Sequence, residues 1–200
     1  TMGTLTTGDY NTSVGGDSLQ ILTEGSANTA VGREAMMTHL TGSNNTAIGA
    51  YAMSDTNAGT TSQGAGSNTC VGAYSMGGTW ANTASEYNVA VGFQALYGAL
   101  DNVDGAVAIG YQALKILTEG ARSIAIGWKA ADALTVGDDN VALGYGAMGS
   151  LGTTDVSDRN IAIGSFAMDG TGNLTASDNV FIGTDAGGGT WTGVLSALNI

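Results

Sequence analysis

One short pattern of polar, small and apolar positions returns along the whole chain. It reads Asn-x-Ala-(Val/Ile)-Gly-x-x-Ala-(Leu/Met), and Asn28 to Met36, Asn88 to Leu96 and Asn160 to Met168 are full copies. Aligned on the glycine, ten copies appear, at Gly15, Gly32, Gly49, Gly72, Gly92, Gly110, Gly127, Gly144, Gly164 and Gly183, spaced by 17 to 23 residues. The residue before the glycine is Val, Ile or Leu in all ten; the residue two before is small in nine; the residue four after is Leu or Met in eight. Helical repeats of about 33 to 47 residues and propeller blades of about 40 to 50 are excluded by this spacing. A unit of 17 residues suits one coil of a β-solenoid, with two strands and two turns. The first strand is predicted at x-(Thr/Val/Ile)-Ala-(Val/Ile)-Gly, whose β-branched residues favour extended backbone. The glycine ends it, where a tight turn needs freedom from Cβ clashes. A second strand is predicted to start near the Ala-(Leu/Met) pair. The insertions fall between it and the next Asn, as loops along one edge, among them Ser54 to Ser67 and Gly77 to Tyr87. The chain divides into a lead-in (1–10), a ten-repeat β-roll (11–187) and a cap or junction (188–200) that contains Trp191.

The first strand also points to assembly. In Asn88-Val89-Ala90-Val91-Gly92, Val89 and Val91 face one way and Ala90 the other, and neither face is polar. A strand apolar on both faces expects cover on both. The coil interior covers one; identical chains packed around an axis would cover the other. The sequence leaves open which face points inward.

Composition narrows the function. Seventeen acidic residues against five basic ones give a net charge of −12, which excludes ordinary nucleic-acid binding because phosphate affinity comes from Lys and Arg. The acids read as solvation of an apolar, edge-rich assembly. The sparse cations, Arg33, Lys115, Arg122, Lys129 and Arg159, give no attraction to a bare anionic surface. One cysteine forms no intramolecular disulfide and no Cys-rich metal site. No run of 18 apolar residues occurs, so membrane insertion of this segment is not expected. The stretch beginning Thr1-Met2-Gly3-Thr4 has neither the basic region nor the apolar core of a secretory signal.

The motif resembles the head repeat of YadA-like trimeric autotransporter adhesins. It is closer still to the variant found in phage tail fibres and bacterial tail-fibre-domain proteins, where a Thr-Gly-containing turn stretches the unit, as in Leu22-Thr23-Glu24-Gly25, Leu40-Thr41-Gly42 and Leu117-Thr118-Glu119-Gly120. The resemblance runs from about Asn11 to Gly187. It implies a left-handed parallel β-roll, a homotrimer along a fibre axis, and an extracellular place on a cell surface or virion. It implies adhesion, with a cell-surface glycan or protein as receptor. No segment resembles the chaperone domain, coiled-coil stalk or membrane anchor of such fibres.

Candidate residues follow from the columns. The Asn four before the glycine, present in eight copies including Asn28, Asn88 and Asn160, reads as turn chemistry with amide bonds from coil to coil; the motif glycines Gly32, Gly92 and Gly164 share that structural role. Aromatic residues follow the glycine at Tyr51, Tyr74, Phe93, Tyr111, Trp128, Tyr145 and Phe166. Coils stack at about 4.8 Å, so Phe93, Tyr111, Trp128 and Tyr145 would form a ladder. It serves either packing or a stripe on which sugar rings or apolar surfaces lie. Trp80 and Tyr87, on inserted loops, read either as receptor contacts or as caps on the coil below. His39, the single histidine, reads as a surface or loop residue, and Cys70 as a small buried hydrophobe. Asp138, Asp139, Asp155 and Asp158 lie in predicted turns without the recurring Gly-Asp pattern of calcium β-rolls, so no metal or cofactor is expected. Asn11, Asn44 and Asn173 sit in Asn-x-Ser/Thr sequences and are read as unmodified. A non-enzymatic fibre segment is the leading expectation and a self-polymerising filament subunit the alternative. A polysaccharide-acting solenoid is disfavoured by scarce cations, and an ice-binding face by a Thr column of only four rungs, Thr12, Thr29, Thr46 and Thr69.

Overall fold

In nine of the ten copies a small residue is flanked by β-branched or aliphatic ones, Phe181 standing in its place in the tenth, and each such triplet is extended. The computed structural model describes residue 3 and residues 5–56, 64–80, 83–150, 157–170 and 176–189. Its strands are β1 (Thr12–Val14), β2 (Thr29–Val31), β3 (Thr46–Ile48), β4 (Thr69–Val71), β5 (Val89–Val91), β6 (Val103–Asp104), β7 (Val107–Ile109), β8 (Gly120–Ala121), β9 (Ile124–Ile126), β10 (Val141–Leu143), β11 (Ile161–Ile163) and β12 (Val180–Ile182). All but β6 and β8 join one ten-stranded parallel sheet in chain order, while β6 and β8 pair on a second wall. Register follows the motif, so that Ala90 lies opposite Cys70 and Ala108. The described residues thus form an all-β parallel solenoid of about eight turns, with no α-helix among them.

The small residue faces inward. Ala30, Ala47, Cys70, Ala90, Ala108 and Ala125 are fully buried, while their neighbours along each strand are partly or well exposed. This settles the orientation that the sequence left open: the interior is thin, and the β-branched side chains stand outside.

The predicted second strand is not formed. Ala35 with Met36, Ala95 with Leu96 and Ala113 with Leu114 are all buried. Adjacent residues cannot both point inward in a pleated strand, where side chains alternate. The chain instead takes left-handed conformations at the residues two and four after the glycine, such as Gln94 (φ 52°) and Leu96 (φ 50°). That explains a column free of β-branched residues, which tolerate this region worst. Replacing Leu114 (φ 48°, fully buried) by Ile keeps its volume but brings Cβ branching there. Urea unfolding is expected to show a loss of about 2 kcal/mol for Leu114→Ile and less than about 1.5 kcal/mol for Leu114→Met; equal losses would refute the backbone explanation.

Main-chain bonds link coil to coil on every side, strand or not. From one coil, the Thr29 and Met36 N–H groups donate forward to Asn45 O (2.8 Å) and Ala52 O (3.0 Å), and the Gly32 and Glu34 N–H groups donate back to Val14 O (2.7 Å) and Gly16 O (2.8 Å). A chain that uses its N–H groups at this density has little room for proline, and the sequence has none. The outermost coils depart from the rule. In the first, Ser13 and Ser18 replace the two core alanines and bond to each other. In the last described coil, Phe181 stands in the Ala column and Gly187 in the Leu/Met column; a Cβ on Gly187 would meet the Phe181 ring at 2.5 Å. One large ring there fills the space that two side chains share elsewhere. Trp191 and most of the predicted 188–200 cap lie outside the described residues.

Candidate functional site

The Asn column is a buried amide ladder. The Asn45 N–H donates to Asn28 Oδ1 (3.0 Å), and the Asn45 amide donates to Ala65 O (2.9 Å). Asn88 and Asn160 repeat this, reaching Val103 O (2.7 Å) and Ala176 O (2.7 Å). These amides are consumed by the fold and offer nothing to a ligand. Copies six and seven carry Ala106 and Ser123 instead, and Ser123 Oγ donates to Gly137 O (3.1 Å) in place of the amide.

Two residues before that column, acids do more than solvate. Asp104 Oδ1 accepts the Glu86 N–H (2.7 Å), Asp138 Oδ1 the Ala121 N–H (2.7 Å), and Asp158 Oδ1 the Asp138 N–H (2.9 Å). Each carboxylate therefore caps the main chain of the preceding coil. One residue before the Asn column, Arg122, Asp139, Arg159 and Asp178 follow one another on successive coils, all with positive φ. Arg122 grips Asp139 through two bonds (2.7 and 2.9 Å), and Arg159 grips Asp178 likewise (2.5 and 2.8 Å). Hydrogen bonds from the guanidinium groups hold both aspartates below the usual carboxylate range. This alternation was missed by column-by-column reading of the sequence, although its spacing matches the repeat. An open groove of about 730 Å³ runs beside it, lined by Asp101, Glu119, Arg122, Asp138 and Asp158 among others. Asp155 and Asn173 lie outside the described residues.

The main sheet also turns an apolar face outward. From β5 to β12 both outward columns are aliphatic, Val89 with Val91 through Val180 with Ile182. Ile48, Ile126 and Ile182 are 41, 40 and 68 % exposed. The aromatic ladder borders this face, one residue after the glycine at Phe93, Tyr111, Trp128 and Tyr145 and two after it at Tyr51, Tyr74 and Phe166. Arg33 sits over Tyr51 (4.9 Å), Tyr51 stacks on Tyr74 (4.8 Å), Tyr74 meets Phe93 edge-on (6.0 Å), Phe93 stacks on Tyr111 (5.7 Å) and Tyr111 on Trp128 (4.1 Å). Tyr145 turns instead to Phe166, edge-on at 5.0 Å. Stacking covers faces along Tyr51–Tyr74 and Phe93–Tyr111–Trp128, while Trp128 and Tyr145 remain about half exposed. Tyr87 is exposed at the opposite corner.

Two sequence expectations change here. Trp80 is not a surface contact: it is fully buried, and its indole N–H donates to Met76 O (3.2 Å). The large apolar ring fills the coil, and one main-chain carbonyl satisfies its single polar atom. His39 is not a surface residue either, being 0 % exposed. It lies seven after Gly32, the offset at which Leu22, Leu117 and Leu134 are buried in other copies. That offset was the signal available in the sequence. Cys70 is buried, as read, with Sγ 3.2 Å from Met76 Sδ, and burial pushes its thiol far up.

No protein-family model matches the chain, and neither curated proteins nor solved structures give a match.

Proposed function

We propose that the chain is a non-enzymatic fibre segment of a trimeric surface adhesin or tail fibre, acting outside the cell or on a virion in attachment. On this reading the rod is a left-handed roll of ten coils, and three protomers lie side by side. The observation that carries it is the outward apolar face from Val89 to Ile182, bordered by the aromatic ladder. Large contiguous apolar surface on a soluble protein marks an interaction site, and this one runs the length of six rungs. Three chains that meet on it would cover it over their whole length. Tyr87, 64 % exposed and two residues before β5, is the candidate contact for a cell-surface glycan or protein. Repeating it three times around an axis would raise avidity without new contacts.

Light scattering across a dilution series tests the reading. The expected mass is three times the 19.8 kDa chain, persisting on dilution. A stable single-chain mass would sink it. One observation favours the filament alternative: β1 and β12 each have a single neighbour in the main sheet, and open edges template further strands. Long, unbranched filaments in micrographs, with mass that grows with concentration, would support that alternative.

A further inference from the structure

Two Asp-Gly pairs occur in the chain, Asp104-Gly105 and Asp169-Gly170, and no Asn-Gly pair. In such a pair the glycine nitrogen can attack the carboxyl carbon of the aspartate before it. Glycine sets no side chain in the path, and its backbone freedom lets the nitrogen swing into place. The fold treats the two pairs differently.

Asp104-Gly105 is clamped. Asp104 Oδ1 accepts the Glu86 N–H (2.7 Å), and the Gly105 N–H donates to Glu86 O (3.0 Å). Both groups that would have to meet are held on one residue of the preceding coil, in a partly buried place. Asp169-Gly170 has no such clamp. Among the described residues one hydrogen bond reaches the Asp169 carboxylate, from the Ser150 hydroxyl (2.7 Å), and it is exposed. The Gly170 N–H has no hydrogen-bond partner among them. The glycine itself is not exchangeable, because a Cβ there would fall on the Gly189 carbonyl oxygen of the next coil. Coil stacking therefore retains a reactive pair that a larger residue would quieten.

We propose that Asp169-Gly170 is a site of spontaneous modification, where the aspartate converts to isoaspartate. The Gly170 nitrogen attacks Asp169 Cγ. An N–Cγ bond forms, a Cγ–O bond breaks, and the oxygen leaves as water with the carboxyl proton and the N–H proton. The product is a succinimide ring, which water then opens. Addition at Cγ restores aspartate. Addition at the main-chain carbonyl carbon leaves Gly170 joined through the side chain. Water is lost and regained, and nothing is oxidised or reduced. The main chain gains one carbon between Asp169 and Gly170. It gains it where Met168 N–H donates to Ala186 O (2.8 Å) and Gly170 lies against Gly189, so the fit of this coil on the next absorbs the change.

Ageing the intact chain at neutral pH in water enriched with heavy oxygen reads the reaction, because each passage through the ring can leave the label in the aspartyl residue. Peptide mass spectrometry, with fragmentation that distinguishes isoaspartate, assigns the site. Label and isoaspartate are expected at Asp169, and at least about tenfold more slowly at Asp104, where two hydrogen bonds must open first. In urea the clamp is gone, and the two rates are expected to converge. Asp169→Glu, whose longer side chain would have to close a larger ring, is expected to stop the reaction at that site. Asp169→Asn, which reaches the same succinimide by losing ammonia, is expected to hasten it. Equal rates at the two sites in the folded chain, a silent Asp169 there, or a difference that survives in urea would each overturn the proposal.

Discussion

Gly92→Ala is expected to be among the most destabilising single substitutions in this chain, at about 4 kcal/mol or more. Two effects combine at this site. Gly92 has φ 131°, a region that residues with a side chain rarely enter. A Cβ there would also stand 2.4 Å from the Gly110 carbonyl oxygen of the next coil. Because that obstacle is main chain, no rotamer change relieves it. The same column holds from coil to coil: a Cβ on Gly32 meets the Gly49 oxygen at 2.4 Å, and one on Gly164 meets the Gly183 oxygen at 2.4 Å. Gly183 separates the two effects. Its φ is 132°, but a Cβ there meets only Ala186, at an ordinary 3.8 Å, among the described residues. Gly183→Ala should therefore retain the strain and lose the collision. Thermal and urea unfolding of both variants is the measurement. A clearly smaller loss for Gly183→Ala supports the account, and equal losses would mean that coil spacing is not what the glycines protect.

On the proposed trimer, Ile109→Asp is expected to abolish assembly while leaving the coil folded. Ile109 lies in the middle of the aliphatic face, opposite Val91 and Ile126 on the neighbouring strands, and points away from the core. A carboxylate facing solvent on a lone chain is nearly harmless. The same carboxylate enclosed between protomers lacks a partner, at a cost of several kcal/mol per copy, and a threefold assembly would hold three of them. Circular dichroism should retain its β signature while light scattering reports a single-chain mass. An unchanged oligomer would show that the face lies outside the interface, and the fibre proposal would lose its main support. Thr12→Asp on the polar end of the same face is the matched control, with a smaller expected effect.

Much of this architecture was legible in the sequence, because a 17-residue spacing of Gly after Val or Ile leaves few alternatives to a solenoid coil. The Asn ladder was legible too, since a polar residue held at one offset in eight copies implies a repeated bond. The second wall was not. Alternation rules presume a pleat, and the Ala95-Leu96 pair buries two adjacent side chains by leaving it. The absence of Val and Ile at the Leu96 offset was the available sign. Trp80 was left open between a receptor contact and a cap on the coil below, and His39 was misplaced, for a different reason. Each was read by residue type and loop position, whereas its offset from the nearest motif glycine matched buried Leu100 or Leu22. The inward direction of the alanines depends on how narrow the coil is, which only the closed three-dimensional path reveals.

The alternation of Arg122, Asp139, Arg159 and Asp178 bears on how such a rod can change length over generations. Losing the one coil that contains Asp139 would bring Arg122 against Arg159, replacing an attraction by a like-charge contact. Losing two neighbouring coils would restore an arginine facing an aspartate. Gene duplication and deletion are thus expected to be tolerated in this stretch in even steps, with a parity rule written along the edge of the protein in charge.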